Sequence, residues 1–163
     1  MESNSDRRSF LRTGLAAFGG LLAAMGSRMG GDAEAAHTKM GVGSKKHKVV
    51  YHLSSRNWKH AMFNLGNIKN HMKGVGGPRN LDVHIVVHGP ALPNFTKKKI
   101  NKKLKARLET LQLDGLKFGA CGNTMKRFKI TMDQLPQGAI HVPQGGVVRL
   151  AELQEQGYVY LRP

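Results

Sequence analysis

From residue 48 onward, short β-branched runs alternate with apolar stripes of helical period, and this alternation limits the folds open to the chain more than any other feature. The first run is Lys-Val-Val-Tyr-His-Leu over residues 48–53. Trp58, Ala61, Met62, Leu65, Ile68 and Met72 then recur at i, i+3, i+4, i+7, i+10 and i+14, the inner face of a helix that the Gly- and Pro-rich residues 74–78 stop. Residues 81–88 carry Val83, Ile85, Val86 and Val87 in near-continuous order, as in a strand covered on both faces. A second helix is predicted with Thr96 as its N-cap and Ile100, Leu104, Leu108 and Leu111 on one face. Residues 116–120 make a short third strand, and Cys121-Gly122-Asn123-Thr124 turns into a short helix carrying Met125 and Phe128. Thr131 with Gln134 reads as a capping box for one further turn. Residues 139–142 form a fourth strand, Gly145-Gly146 open a fourth helix that Gly157 stops, and residues 158–161 form the last strand. Five strands alternating with four helices predict an α/β fold of three layers. Its flavodoxin-like, five-stranded, mostly parallel sheet would carry helices on both faces, in a single domain over residues 48–163.

The N-terminus has a different character. Arg7-Arg8-Ser9-Phe10-Leu11 precedes an uncharged stretch rich in Ala, Gly and Leu over residues 13–26, and Ala33-Glu34-Ala35 follows. Basic region, short apolar region and small-x-small cleavage site is the order of an export signal. The arginine pair resembles the twin-arginine type. Residues 1–36 are therefore expected to be a signal peptide and residues 37–47 a flexible leader, with the domain exported to the periplasm. Cleavage after Ala35 removes as many basic residues (Arg7, Arg8, Arg12, Arg28) as acidic ones (Glu2, Asp6, Asp32, Glu34), so the net charge of +16 belongs to the domain.

Among 163 residues there is one cysteine, which excludes a disulfide scaffold. No CxxC, no GxGxxG after a strand and no P-loop occurs, which disfavours thioredoxin-type redox chemistry and nucleotide binding by those motifs. Cys121 itself follows a predicted strand and precedes a helix, and in open α/β sheets the ligand crevice lies at the carboxyl ends of the strands. Backbone N–H groups at a helix start stabilise an anion, and the thiolate is the reactive form of cysteine. Lys126 and Arg127 lie within the next two turns, Gly122 removes bulk beside the sulfur, and Asn123 and Thr124 can cap the helix or bind an anion. A buried, inert core cysteine is the competing reading.

Several of these segments carry a resemblance: Ser54-Ser55 after the first strand, Val87-His88-Gly89-Pro90 after the second, Ala120-Cys121-Gly122-Asn123-Thr124, and Gly146-Val147-Val148 leading to Leu153-Gln154-Glu155-Gln156-Gly157-Tyr158. In their order they resemble the DsrE/DsrF-like family, more closely its exported branch. The resemblance implies an α/β fold, homotrimers or hexamers and, as in the sulfur-relay members, a cysteine that carries persulfide without an organic cofactor. By position Cys121 matches that cysteine. The chain differs from the relay members in having Gly-Asn-Thr after it. Partners would then be donors and acceptors of sulfur, either proteins or small sulfur species.

Among eight histidines, no pair has the helical i, i+4 spacing of a metal clamp, and His84 and His88 are ~13 Å apart on one strand, so no metal site is assigned. His88 ends the second strand on the crevice side and can accept a proton or orient a sulfur species, whereas His52 and His141 are expected to pack or cap. Arg56 follows the first strand. In a sheet of order 2-1-3-4-5 its turn would face the Cys121 turn and offer a cation to an anion. The basic segment 97–107 is a solvated face or a surface for an acidic protein or anionic lipid, while sparse aromatics disfavour nucleic acid. Two functions stay open: a sulfur carrier, related to sulfurtransferases, built on Cys121; or a noncatalytic binding and assembly module in which Cys121 only packs.

Overall fold

The computed structural model of the chain describes residues 46–163; the signal peptide expected over 1–36 and nearly all of the leader expected over 37–47 lie outside them. Among the described residues, no helix is long and apolar enough to cross a membrane.

Strand β1 (His47–Leu53) leads into α1 (Trp58–Gly74), β2 (Leu81–Val87), α2 (Lys102–Leu113), β3 (Lys117–Cys121), α3 (Gly122–Phe128), β4 (Ala139–Val142), α4 (Gly146–Glu155) and β5 (Val159–Leu161). Short 3-10 segments lie at Pro78–Asn80, Gly89–Phe95 and Met132–Gln134. The α/β architecture read from the alternation is the one observed, with every strand pair parallel. Strand parity divides the side chains between two faces. Val49, Tyr51, Leu53, Val83, Ile85, Val87, Phe118 and Ala120 join Leu65 and Ile68 of α1 and Leu104, Leu108 and Leu111 of α2 in the main core. On the other face Val50 and Val86 pack against Leu150 and Leu153 of α4, with Tyr158, in a second and smaller cluster.

Two expectations are corrected. The sheet order is β4-β3-β2-β1-β5, not 2-1-3-4-5. The first four strands step in one direction and only β5 returns to the free edge of β1. Second, Thr96 does not cap α2. It closes the Gly89–Phe95 segment, where its hydroxyl donates to the Pro93 carbonyl, and Asn101 caps α2 by accepting from the Lys103 N–H at 2.9 Å. The three lysines between the two candidates form a turn instead of helix, so the free N–H groups of the first turn lie beside Asn101 and not Thr96. The capping box at Thr131 and Gln134 is present, on the Met132–Gln134 turn.

Candidate functional site

Cys121 is the last residue of β3 and the N-cap of α3, so its side chain leaves the carboxyl end of the sheet on the α4 face. The start of α4 arrives at the same point. The Gly146 N–H donates to Cys121 Sγ at 3.1 Å. That approach requires two glycines. Gly145 has φ +99°, a left-handed conformation that disfavours side chains, and a Cβ there would lie 2.6 Å from Asn123 Nδ2. A Cβ on Gly146 would lie 2.9 Å from His88 Cβ and 3.4 Å from Cys121 Cβ. His88 and Cys121 therefore border the same vacated position, which the α4 backbone fills.

Cys121 is buried, with 4% of the residue exposed. Burial alone pushes its thiol pKa up, but the Thr124 side chain and the N–H groups of Thr124, Gly146 and Asn123 stabilise the thiolate and together hold the pKa below its ordinary value. Thr124 is itself fixed, accepting from the Gly89 N–H at 2.8 Å, so the turn after β2 and the start of α3 are tied together beside the sulfur. Of the residues expected to stabilise an anion, Asn123 and Thr124 are thus in place, and Gly122 serves close approach: a Cβ there would meet His141 Nε2 and the Val142 carbonyl at 2.9 Å each.

His88 is joined to His52 Nε2 to Nε2, the two rings stacked with centroids 4.6 Å apart, and His52 Nδ1 bonds Tyr160 Oη at 2.6 Å. Burial, then the charges of His88 and Arg162, lower the pKa of His52 to about 4; burial and Arg162 lower that of His88. Both rings are neutral at pH 7. A chain of two neutral imidazoles and a phenol can be polarised in either direction, which suits it to pass a proton. His52, expected only to pack or cap, is the link between strands here. The sequence carries a signal for it: His52 is the penultimate residue of β1, its register partner is Val86, and His88 follows two residues later on the same face.

Three expected residues lie elsewhere. With β2 between β1 and β3, the Arg56 turn is two strand spacings, about 10 Å, from the Cys121 strand. Arg56 is exposed and lines a different groove, whose lining does not include Cys121. Lys126 and Arg127 occupy the last turn of α3, at the end opposite to the sulfur, because a helix of seven residues carries its two ends apart by roughly 10 Å. The cation near the histidines is Arg162, which donates to Ser54 Oγ at 3.1 Å. Among the described residues, no group of three or more His, Cys, Asp or Glu is arranged to hold a metal ion.

Residues 47–163 match the DsrE/DsrF-like family. No curated protein matches the chain. Among solved structures, MTH1491 of Methanobacterium thermoautotrophicum, a protein of unknown function, is 21% identical, with a TM-score of 0.65 over 72% of this chain and 100% of its own. The ychN protein of E. coli is 14% identical, with a TM-score of 0.54 over 72% of this chain and 99% of its own. At such identities the likeness concerns the fold alone.

Proposed function

This chain belongs to the DsrE/DsrF-like family, and from that membership we propose that it is an exported sulfur-handling protein that carries sulfane sulfur as a persulfide on Cys121. The observation that carries the reading is the Gly146 N–H on Cys121 Sγ, with the Thr124 and Asn123 groups completing a set of donors around one lowered thiol. In the loading step the Cys121 thiolate attacks the terminal sulfur of a donor persulfide. The donor's S–S bond breaks, the donor leaves as a thiolate, and the new S–S bond forms on Cys121, with no net oxidation or reduction. Discharge is the same exchange in reverse, with an acceptor thiolate attacking the outer sulfur. His88, relayed through His52 to Tyr160, takes and returns the proton that the persulfide and the departing thiolate exchange. A buried residue such as Cys121 is reached by a donor's unsubstituted terminal sulfur more readily than by a bulky group.

Self-association belongs to the same reading. Val147 and Val148 of α4 are 68% and 48% exposed and Val159 of β5 is 59% exposed, and such apolar side chains on the exterior favour pairing with another copy. A trimer or hexamer would cover them.

The burial of Cys121 favours a second reading, a noncatalytic assembly module in which the thiol only packs. One experiment separates the two. Protein taken from its native compartment, and protein treated with polysulfide, are weighed intact. An adduct of one sulfur atom on the wild type and none on Cys121→Ser supports the carrier. No adduct on the wild type, or an equal adduct on the variant, leaves the module.

A further inference from the structure

A groove of about 610 Å³ is lined by residues from three separated segments. Arg56 comes from the turn after β1, Lys97, Lys98 and Lys99 from the turn that follows the Gly89–Phe95 segment, and Lys129 from the end of α3. Against these five cations stands one carboxylate, Asp133. Among the described residues, none of the five is in an ion pair. Side chains of like charge repel one another around a single hollow, and an anion placed there relieves the repulsion.

The groove is not merely a charged surface. Phe128, Ile130 and Pro93 line it, and Phe128 is 41% exposed. The guanidinium of Arg127, which does not itself line the groove, lies 5.9 Å from the Phe128 ring centroid. Hydrogen bonds fasten the walls together before any ligand arrives. Asn94 Nδ2 donates to the Arg56 carbonyl at 2.7 Å, and the Lys97 N–H donates to the Gln134 carbonyl at 2.7 Å. Lys129 has φ +52°, the only non-glycine residue with positive φ among those described, and this conformation turns the chain at the groove.

We propose that this groove binds a small organic polyanion: an apolar or aromatic body bearing two or more phosphate, sulfonate or carboxylate groups. The volume falls within the range of small-molecule sites, about 300–1,000 Å³, and is too small for a folded partner. The apolar wall takes the body of the ligand while the lysines and Arg56 take its charged groups. A bare inorganic anion would use the rim and leave the wall empty. The site is separate from Cys121, so it stands whether or not that residue carries sulfur.

The test is calorimetric titration of the full chain at low salt with naphthalene disulfonate, and with inorganic sulfate as the body-free control. One-site binding of the disulfonate is expected, weakened about ten-fold or more in Lys98→Glu/Lys129→Asn, where Asn is chosen because it tolerates the left-handed backbone. Phe128→Ala should weaken the disulfonate and leave sulfate unchanged. Lys69→Glu/Lys103→Glu, which reverses two charges on the α1–α2 side, should change affinity by no more than about two-fold. Equal losses in the two double variants would reduce the groove to part of a diffuse positive field and overturn the proposal. So would sulfate binding as tightly as the disulfonate, or no binding of the disulfonate at all.

Discussion

Gly146 and Cys121 meet at 3.1 Å, the first free N–H of α4 directed at the sulfur that ends β3. Twenty-five residues of chain separate them, and their contact brings a helix start to a strand end at the rim of the sheet. What the contact does to the thiol can be measured, because there is no second cysteine to confuse the signal.

The Cys121 thiol should titrate below its ordinary value. Thiolate absorbance followed against pH reads this without requiring a reagent to enter the site. Thr124→Val keeps the shape and removes the hydroxyl, and should move the midpoint upward. A wild-type midpoint at or above about 8.5 contradicts the donor set described here.

Gly146→Ala places a methyl 2.9 Å from His88 Cβ. The backbone of α4 must retreat from the sulfur, so the variant should lose about 1–3 kcal/mol of stability. It should also raise the thiol midpoint. Urea unfolding together with the absorbance titration checks both effects; a stable variant with a displaced midpoint would show that α4 can withdraw without strain.

Acid should destabilise the fold well before its carboxylates titrate. Burial, ahead of nearby charges, lowers His52 and His84 to about 4, and His88 is lowered as well. The unfolded chain binds these protons near pH 6.5 and the folded one does not. Stability is therefore complete above about 6.5 and declines as pH falls toward 4. Melting temperature against pH should show the slope, and His84→Gln should remove one proton's share of it. A flat profile between those limits would mean that the rings are protonated in the folded state.

Val147→Asp with Val159→Asp should leave circular dichroism unchanged, since both side chains are more than half exposed. If these positions lie between copies, sedimentation should show a smaller particle than the wild type. Leu153→Ala acts oppositely. The side chain is fully buried between α4 and the sheet, and its loss should cost about 2–5 kcal/mol.

The strands and helices were legible because their signals are local: the stripe from Trp58 to Met72 specifies a helix without reference to the rest of the chain. Strand order was not. Whether β3 lies beside β1 or β2 depends on which face of the sheet α2 covers, and no local pattern records that. The misplaced Arg56 follows from this single fact, because the turn after β1 faces Cys121 only if β2 is on the outside. The strand-to-helix transition marks Cys121, Asn123 and Thr124 in the sequence. Gly145 and Gly146 carry the signal of a helix start, but their closeness to the sulfur is tertiary. His52 could have been paired with His88 from strand parity, once neighbouring strands were assigned.

The bond from Tyr160 to His52 joins segments 108 positions apart in sequence. Contacts between such distant segments form late, since much chain entropy must be lost before they give any return. A maturing molecule can thus hold its sulfur atom and the β2 histidine in position before the phenol docks. During that interval the imidazole pair lacks its third member, and competence for proton transfer becomes a mark of completed folding.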